Sequence, residues 1–199
     1  MAAGLLIAFV LWTAAVCTVD VQPIGPEGSA VGFAEINGTF HQLTGVHMTL
    51  YDLTDTLSIL PLGLVAGFGL LGLCRWVQRK ALRKVDRSLL VLGGFYVIVL
   101  TAFISFEFAV INYRPVLIEG QLEASYPSST TMLAMCVLPT AAMQLKARGC
   151  GRWVSGGLYA LTVFMVAARL VSGVHWLTDI VGGMLLSGGL VMLYRATEK

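Results

Sequence analysis

Ala168-Arg169-Leu170-Val171-Ser172-Gly173-Val174-His175-Trp176-Leu177-Thr178-Asp179 sets an arginine, a histidine and an aspartate in sequence that is otherwise almost wholly apolar. His175 and Asp179 are four positions apart. On a helix starting at Trp176 they share a face, and the carboxylate can accept a hydrogen bond from the imidazole and fix its tautomer. A histidine held in that way is suited to act as nucleophile or base. Arg169, upstream across Ser172-Gly173, falls at the end of a preceding helix, with a fork of donors suited to phosphate or carboxylate. The plain alternative is a histidine that caps a helix and an arginine that reaches to an interface. Ionisable groups near a bilayer are costly, and that weighs toward function.

The bilayer itself is read from composition. Of 199 residues, 57% are hydrophobic and 12% charged, and the mean hydropathy is +0.81. Such a chain is a polytopic membrane protein rather than a soluble domain. Its length suits one compact bundle, a single domain over residues 1–199. Cys17, Cys74, Cys136 and Cys150 show no CxxC and no paired spacing, which argues against a disulfide framework or a zinc site.

Six apolar runs are long enough to be spans, near residues 2–19, 57–77, 89–111, 131–145, 154–171 and 176–194. The first lacks the basic start of a signal peptide and is read as a helix. Between it and the second lies a polar segment, residues 20–56, with turn signals at Pro23, Gly25-Pro26 and Asn37-Gly38. Leu43, Val46, Leu50 and Leu53 recur there at helical spacing, predicting a short amphipathic helix on the membrane surface. Gly63 and Gly67, with Gly69 and Gly72, predict close helix packing in the second span.

Of the 13 Lys and Arg residues, all but Arg114 and Arg169 lie in the connection 75–87, the turn 146–152 or the C-terminal tail. These fall on one side of a six-span bundle, which the positive-inside rule makes cytoplasmic together with both termini. Arg114 and Arg169 sit on the opposite, extracytoplasmic face with Ser128-Ser129-Thr130 and His175, so three connections bring phosphate-binding chemistry to one boundary pocket.

These residues resemble the type 2 phosphatidic acid phosphatases, membrane lipid phosphatases related to haloperoxidases. Their motifs are Lys, six residues, Arg-Pro; Pro-Ser-Gly-His; and Ser-Arg, five residues, His, three residues, Asp. Arg114-Pro115, Pro127-Ser128-Ser129-Thr130 and Ala168-Arg169…His175…Asp179 follow in that order over residues 57–194. The resemblance implies an all-α six-helix membrane fold and a lipid phosphatase working through a phosphohistidine without a metal or other cofactor. His175 would be the nucleophile, Asp179 its orienter, and Arg114, Ser128, Ser129, Thr130 and Arg169 the phosphate-binding set. The partners implied are a phosphorylated lipid and the membrane, with no nucleic acid.

Two positions depart from the pattern: Glu107 stands where the family has the lysine, and Thr130 where it has the second histidine, its general acid. A missing acid costs about a hundred- to ten-thousandfold in rate when the leaving oxygen is basic. A phosphate leaving from a diphosphate needs it least, so a polyprenyl diphosphate suits the site better than a phosphatidate. Glu107, two helical turns before Arg114 if the helix continues, is either a substitute acid or the ion-pair partner of Arg114. His47 is another candidate acid. The competing functions are a lipid phosphotransferase, a silent member that binds a phosphorylated lipid or a partner protein, and, less well matched, a small transporter.

Overall fold

The computed structural model describes residues 1–81 and 85–198. Arg83 and Lys84 of the basic connection, and Lys199, lie outside them. Among the described residues the helices are α1 (Ala2–Thr18), α2 (Ala34–Thr44), α3 (Met48–Leu57), α4 (Ile59–Arg79), α5 (Arg87–Phe108), α6 (Ser129–Ala147), α7 (Arg152–Val171) and α8 (Leu177–Thr197). Four runs are long and apolar enough to cross a membrane: α3 and α4 taken together, α5, α7 and α8. α1, at 17 residues, is shorter. α6 carries Thr130, Thr131, Thr140 and Gln144 in buried positions. Its place explains its composition: it packs on α4, α5, α7 and α8, so Thr131, Thr140 and Gln144 meet protein and not lipid.

The amphipathic helix expected across residues 43–53 is two helices. Gly45, at φ +67°, ends α2 in a conformation that continues no helix. Leu43 and Val46 therefore stand apart from Leu50 and Leu53 rather than on one face. α3 runs almost straight into α4, broken at Ser58. Pro61, the third residue of α4, has no N–H for the Leu57 carbonyl and its ring crowds that carbonyl, which accounts for the break.

The glycines of α4 also differ from expectation. A Cβ placed on Gly63, Gly67, Gly69 or Gly72 would meet nothing within 4 Å. They are not a close-packing seam. Gly69 and Gly72 instead join Gly93 and Gly94 of α5 in lining an apolar cavity of about 890 Å³ between α4, α5 and α6. Close packing belongs to α8, where a Cβ on Gly189 would lie 2.6 Å from Leu6 of α1, and one on Gly182 2.6 Å from the Tyr126 ring.

Between α5 and α6 the chain forms a small hairpin of isolated antiparallel bridges, Tyr113 with Ala124 and Ile118 with Gln121. Glu119 and Gly120 turn it with positive φ at both central positions, as a tight two-residue hairpin requires. Arg114 rides on one arm and Ser125 on the other.

Candidate active site

The α7–α8 turn brings the third motif to the hairpin. Arg169 lies in the last turn of α7, and Gly173 takes φ +69° with the Gly45 carbonyl so close that any Cβ would clash. The His47 N–H donates to the Ser172 carbonyl at 2.9 Å. The loop between α2 and α3 thus covers the motif, leaving His175 2% and Arg169 1% exposed.

α8 starts at Leu177, one residue later than the expected Trp176, and His175 lies two residues before its first turn. The direct imidazole–carboxylate hydrogen bond expected there is replaced. His175 Nδ1 is 3.8 Å from Asp179 Oδ2, and the Ser125 hydroxyl stands between them, 2.9 Å from Nδ1 and 2.5 Å from Oδ2. An ionised carboxylate only accepts, so Ser125 gives its one proton to Asp179 and its oxygen accepts from His175 Nδ1–H. The tautomer is fixed through a relay, and Nε2 keeps its lone pair. Asp179 is held by two further donors, the Trp176 N–H at 2.9 Å and Asn112 Nδ2 at 3.1 Å. Burial, then the Arg114 and Arg169 charges, keep the His175 pKa well below its ordinary 6.5, so the ring is neutral at pH 7.

The two arginines meet over one aromatic ring. Tyr51 of α3 has the Arg169 guanidinium carbon 4.5 Å and that of Arg114 5.8 Å from its ring centroid. Arg169 also donates to Thr54 Oγ1 at 3.1 Å. Arg114 pairs with Glu123 across the hairpin, Nε to Oε2 3.1 Å. The ion pair envisaged with Glu107 is therefore made by Glu123, because α5 ends at Phe108 and no continuous helix carries Glu107 to Arg114. Arg114 NH1, Arg169 Nε and His175 Nε2 are buried without a hydrogen-bond partner.

The second-motif residues divide. Ser128 caps α6, its hydroxyl accepting from the Thr131 N–H at 3.4 Å, and its own N–H donates to the Asp179 carbonyl at 3.2 Å. Ser129 lines both the large apolar cavity and a polar pocket of about 190 Å³ that it shares with Glu107, Arg114 and Ser125. Thr130 lines the apolar cavity alone. Glu107 is exposed. His47 is exposed, with Nε2 2.9 Å from the Thr44 carbonyl.

Sequence reading did not find Ser125, Asn112, Tyr51, Thr54 or Glu123. Ser125 stands two residues before Pro127, where the polar character of the link was the only signal. Tyr51 and Thr54 lie on the segment before the second span, in no motif.

No curated protein matches the chain by sequence. Its fold is similar to the crystal structure of a transmembrane PAP2-type phosphatidylglycerolphosphate phosphatase from Bacillus subtilis. The TM-score is 0.64 at 20% identity, over 99% of this chain and 95% of that one. The hairpin, α6, α7 and α8 fall within residues 108–198, which match the PAP2 superfamily. The chain is thus an integral membrane protein, and its match to the PAP2 superfamily lies in residues 108–198, just under half of its length.

Proposed function

We propose that the protein is a membrane lipid phosphatase acting through a phosphohistidine. The observation that carries this is the set of three buried, unpartnered atoms, Arg114 NH1, Arg169 Nε and His175 Nε2. Buried polar groups left without partners are costly, and a phosphate supplies acceptors for both guanidinium donors and an electrophile for the lone pair. In the first step Nε2 attacks phosphorus, a P–N bond forms, and the P–O bond to the lipid breaks with its electrons on the leaving oxygen. The positive charge that develops on the ring is stabilised through Nδ1–H, Ser125 and Asp179. Water then cleaves the P–N bond and releases inorganic phosphate.

With Thr130 in place of the family's second histidine, a diphosphate lipid fits this site best, since its leaving phosphate needs no proton donor. The apolar cavity supports a long chain. Its lining runs from Asp55, Ser58, Ser129 and Thr130 at one end to Trp76 and Val85 at the other. Ser58 to Trp76 spans roughly 27 Å at about 1.5 Å per helical residue, close to a whole hydrocarbon core of about 30 Å. An acyl chain of one leaflet fills about half of that, whereas a polyprenyl chain can use all of it. For monoester lipids, the class to which the phosphatidylglycerolphosphate of the Bacillus neighbour belongs, Glu107 is the carboxyl the polar pocket offers toward the leaving oxygen. Six spans, with α1 and α6 included, set the basic turns and termini in the cytoplasm and His175 on the outer side. Labelling of introduced cysteines, on a background free of the native four, checks this: position 119 should react from outside and 148 should not.

Phosphate release by the purified protein from polyprenyl diphosphate, polyprenyl phosphate, phosphatidate and phosphatidylglycerolphosphate tests the function. The diphosphate should be turned over fastest, with nothing released by His175→Ala. Equal rates in the two proteins would remove the phosphatase reading. Silence on every lipid, with phosphate still bound, would favour a binding member.

A further inference from the structure

Tyr51 belongs to α3, outside the part of the chain that matches the superfamily, yet it is the side chain that touches both arginines of the site. Two guanidiniums over one ring repel each other. Neither is fully paired: Arg114 has Glu123 on Nε and nothing on NH1, and Arg169 has Thr54 on NH1 and the Tyr51 hydroxyl in reach but nothing on Nε. A tyrosine ring attracts cations through the negative charge of its face. From this geometry we infer that Tyr51 is a positioning residue that holds Arg114 and Arg169 spread, with their free donors available to one phosphate. The inference rests on the phosphate-site reading above. α3 thereby contributes to phosphate binding, although its residues take no part in the chemical step.

The arginines come from different elements, a hairpin arm and the end of α7, and only their mutual repulsion links them directly. Each could swing to solvent or to a carboxylate once the ring is gone, with Asp55 one residue beyond Thr54. Binding a dianion would then first require both to be gathered again. The expected cost of losing the ring, from cation–π magnitudes, is about three- to thirtyfold in phosphate affinity, with kcat for bound substrate changed much less.

The test measures binding of inorganic phosphate to the full-length protein in nanodiscs, alongside KM and kcat on the best lipid. Tyr51→Phe, which keeps the ring and loses only the hydroxyl that reaches Arg169, should bind within about threefold of wild type, and Tyr51→Leu should bind about tenfold more weakly with a matching rise in KM. A ring-fluorinated phenylalanine series at position 51 keeps shape while draining the face of charge, and should lower affinity in step with fluorination. A merely structural ring would give a flat series. That flat series, or Tyr51→Leu binding within twofold of wild type, would overturn the inference. If phosphate binds tightly and responds to position 51 while no lipid is hydrolysed, the phosphatase reading fails and the role of Tyr51 stands.

Discussion

A Cβ built on Gly182 or Gly189 of α8 would lie 2.6 Å from the Tyr126 ring or from Leu6, whereas one on Gly69, Gly72, Gly93 or Gly94 would meet nothing within 4 Å. One residue type serves opposite ends in the two halves of the bundle. Beside α8 it lets α1 and Tyr126 approach the backbone, and the approach is locked by Trp12 Nε1 donating to the Thr178 carbonyl at 3.1 Å and by Thr13 with the Tyr126 hydroxyl at 2.7 Å. Between α4 and α5 the missing side chains are the space itself. The rigid half holds Ser125, His175 and Asp179 in register, and the open half leaves room for a chain. A glycine pattern read from sequence does not distinguish these uses, because the difference lies in what stands opposite.

Substitutions should separate the halves. Gly182→Leu drives a side chain into Tyr126, next to Ser125. Overpacking of this kind costs about 1–3 kcal/mol or more, so both the melting temperature in detergent and all turnover should fall. Wild-type values for both would show that this half is not tightly packed. Ser125→Ala keeps the shape and removes the relay, leaving Nδ1 3.8 Å from the carboxylate. Turnover should drop about a hundredfold, less than the ~10⁴ that follows when a catalytic histidine is held in the wrong tautomer, with KM nearly unchanged. An unaltered kcat would mean that Asp179 acts without the serine.

Gly69→Leu and Gly93→Leu should do the reverse of Gly182→Leu, leaving the melting temperature alone and reducing kcat/KM by about tenfold for the longest lipids, the effect of crowding a pocket by a few methylenes. Short-chain substrates should be spared, and uniform losses over chain length would show that the cavity takes no chain. The rigid half should also carry a pH signature. His175 has a folded-state pKa below its unfolded 6.5, so the unfolded chain binds more protons as the pH drops. Its contribution is complete above about 6.5 and is lost as the pH falls below that value. Between pH 7.5 and 5, wild type should lose more stability than His175→Gln. Smallest is Gly93→Ala, which relieves a mid-helix glycine in open space and should stabilise by about 0.5–1 kcal/mol; Gly189→Ala, pressed against Leu6, should destabilise.

The helices were legible because apolar runs and basic turns bound them, and α5, α7 and α8 begin and end within a few residues of the expected positions. Arg114, Arg169, His175 and Asp179 were legible because charge is rare in such a sequence. The break at Gly45 was not, since the apolar period runs through it and only its positive φ ends the helix. Ser125 and Tyr51 were invisible for a related reason. A serine in a polar link and a tyrosine before a span are ordinary until folding sets one between His175 and Asp179 and the other under two guanidiniums. The pairing of Arg114 with Glu123 rather than Glu107 follows from a hairpin whose only local signal is the Glu119-Gly120 turn.

The attack of His175 Nε2 on phosphorus is tested most directly by rapid quenching of the protein during turnover of lipid labelled in its terminal phosphate. Phosphate should be found on the chain within one turnover, stable to base, labile to acid and mapped to His175, and absent from His175→Asn. Steady hydrolysis with no protein-bound phosphate, or with label on another residue, would contradict it.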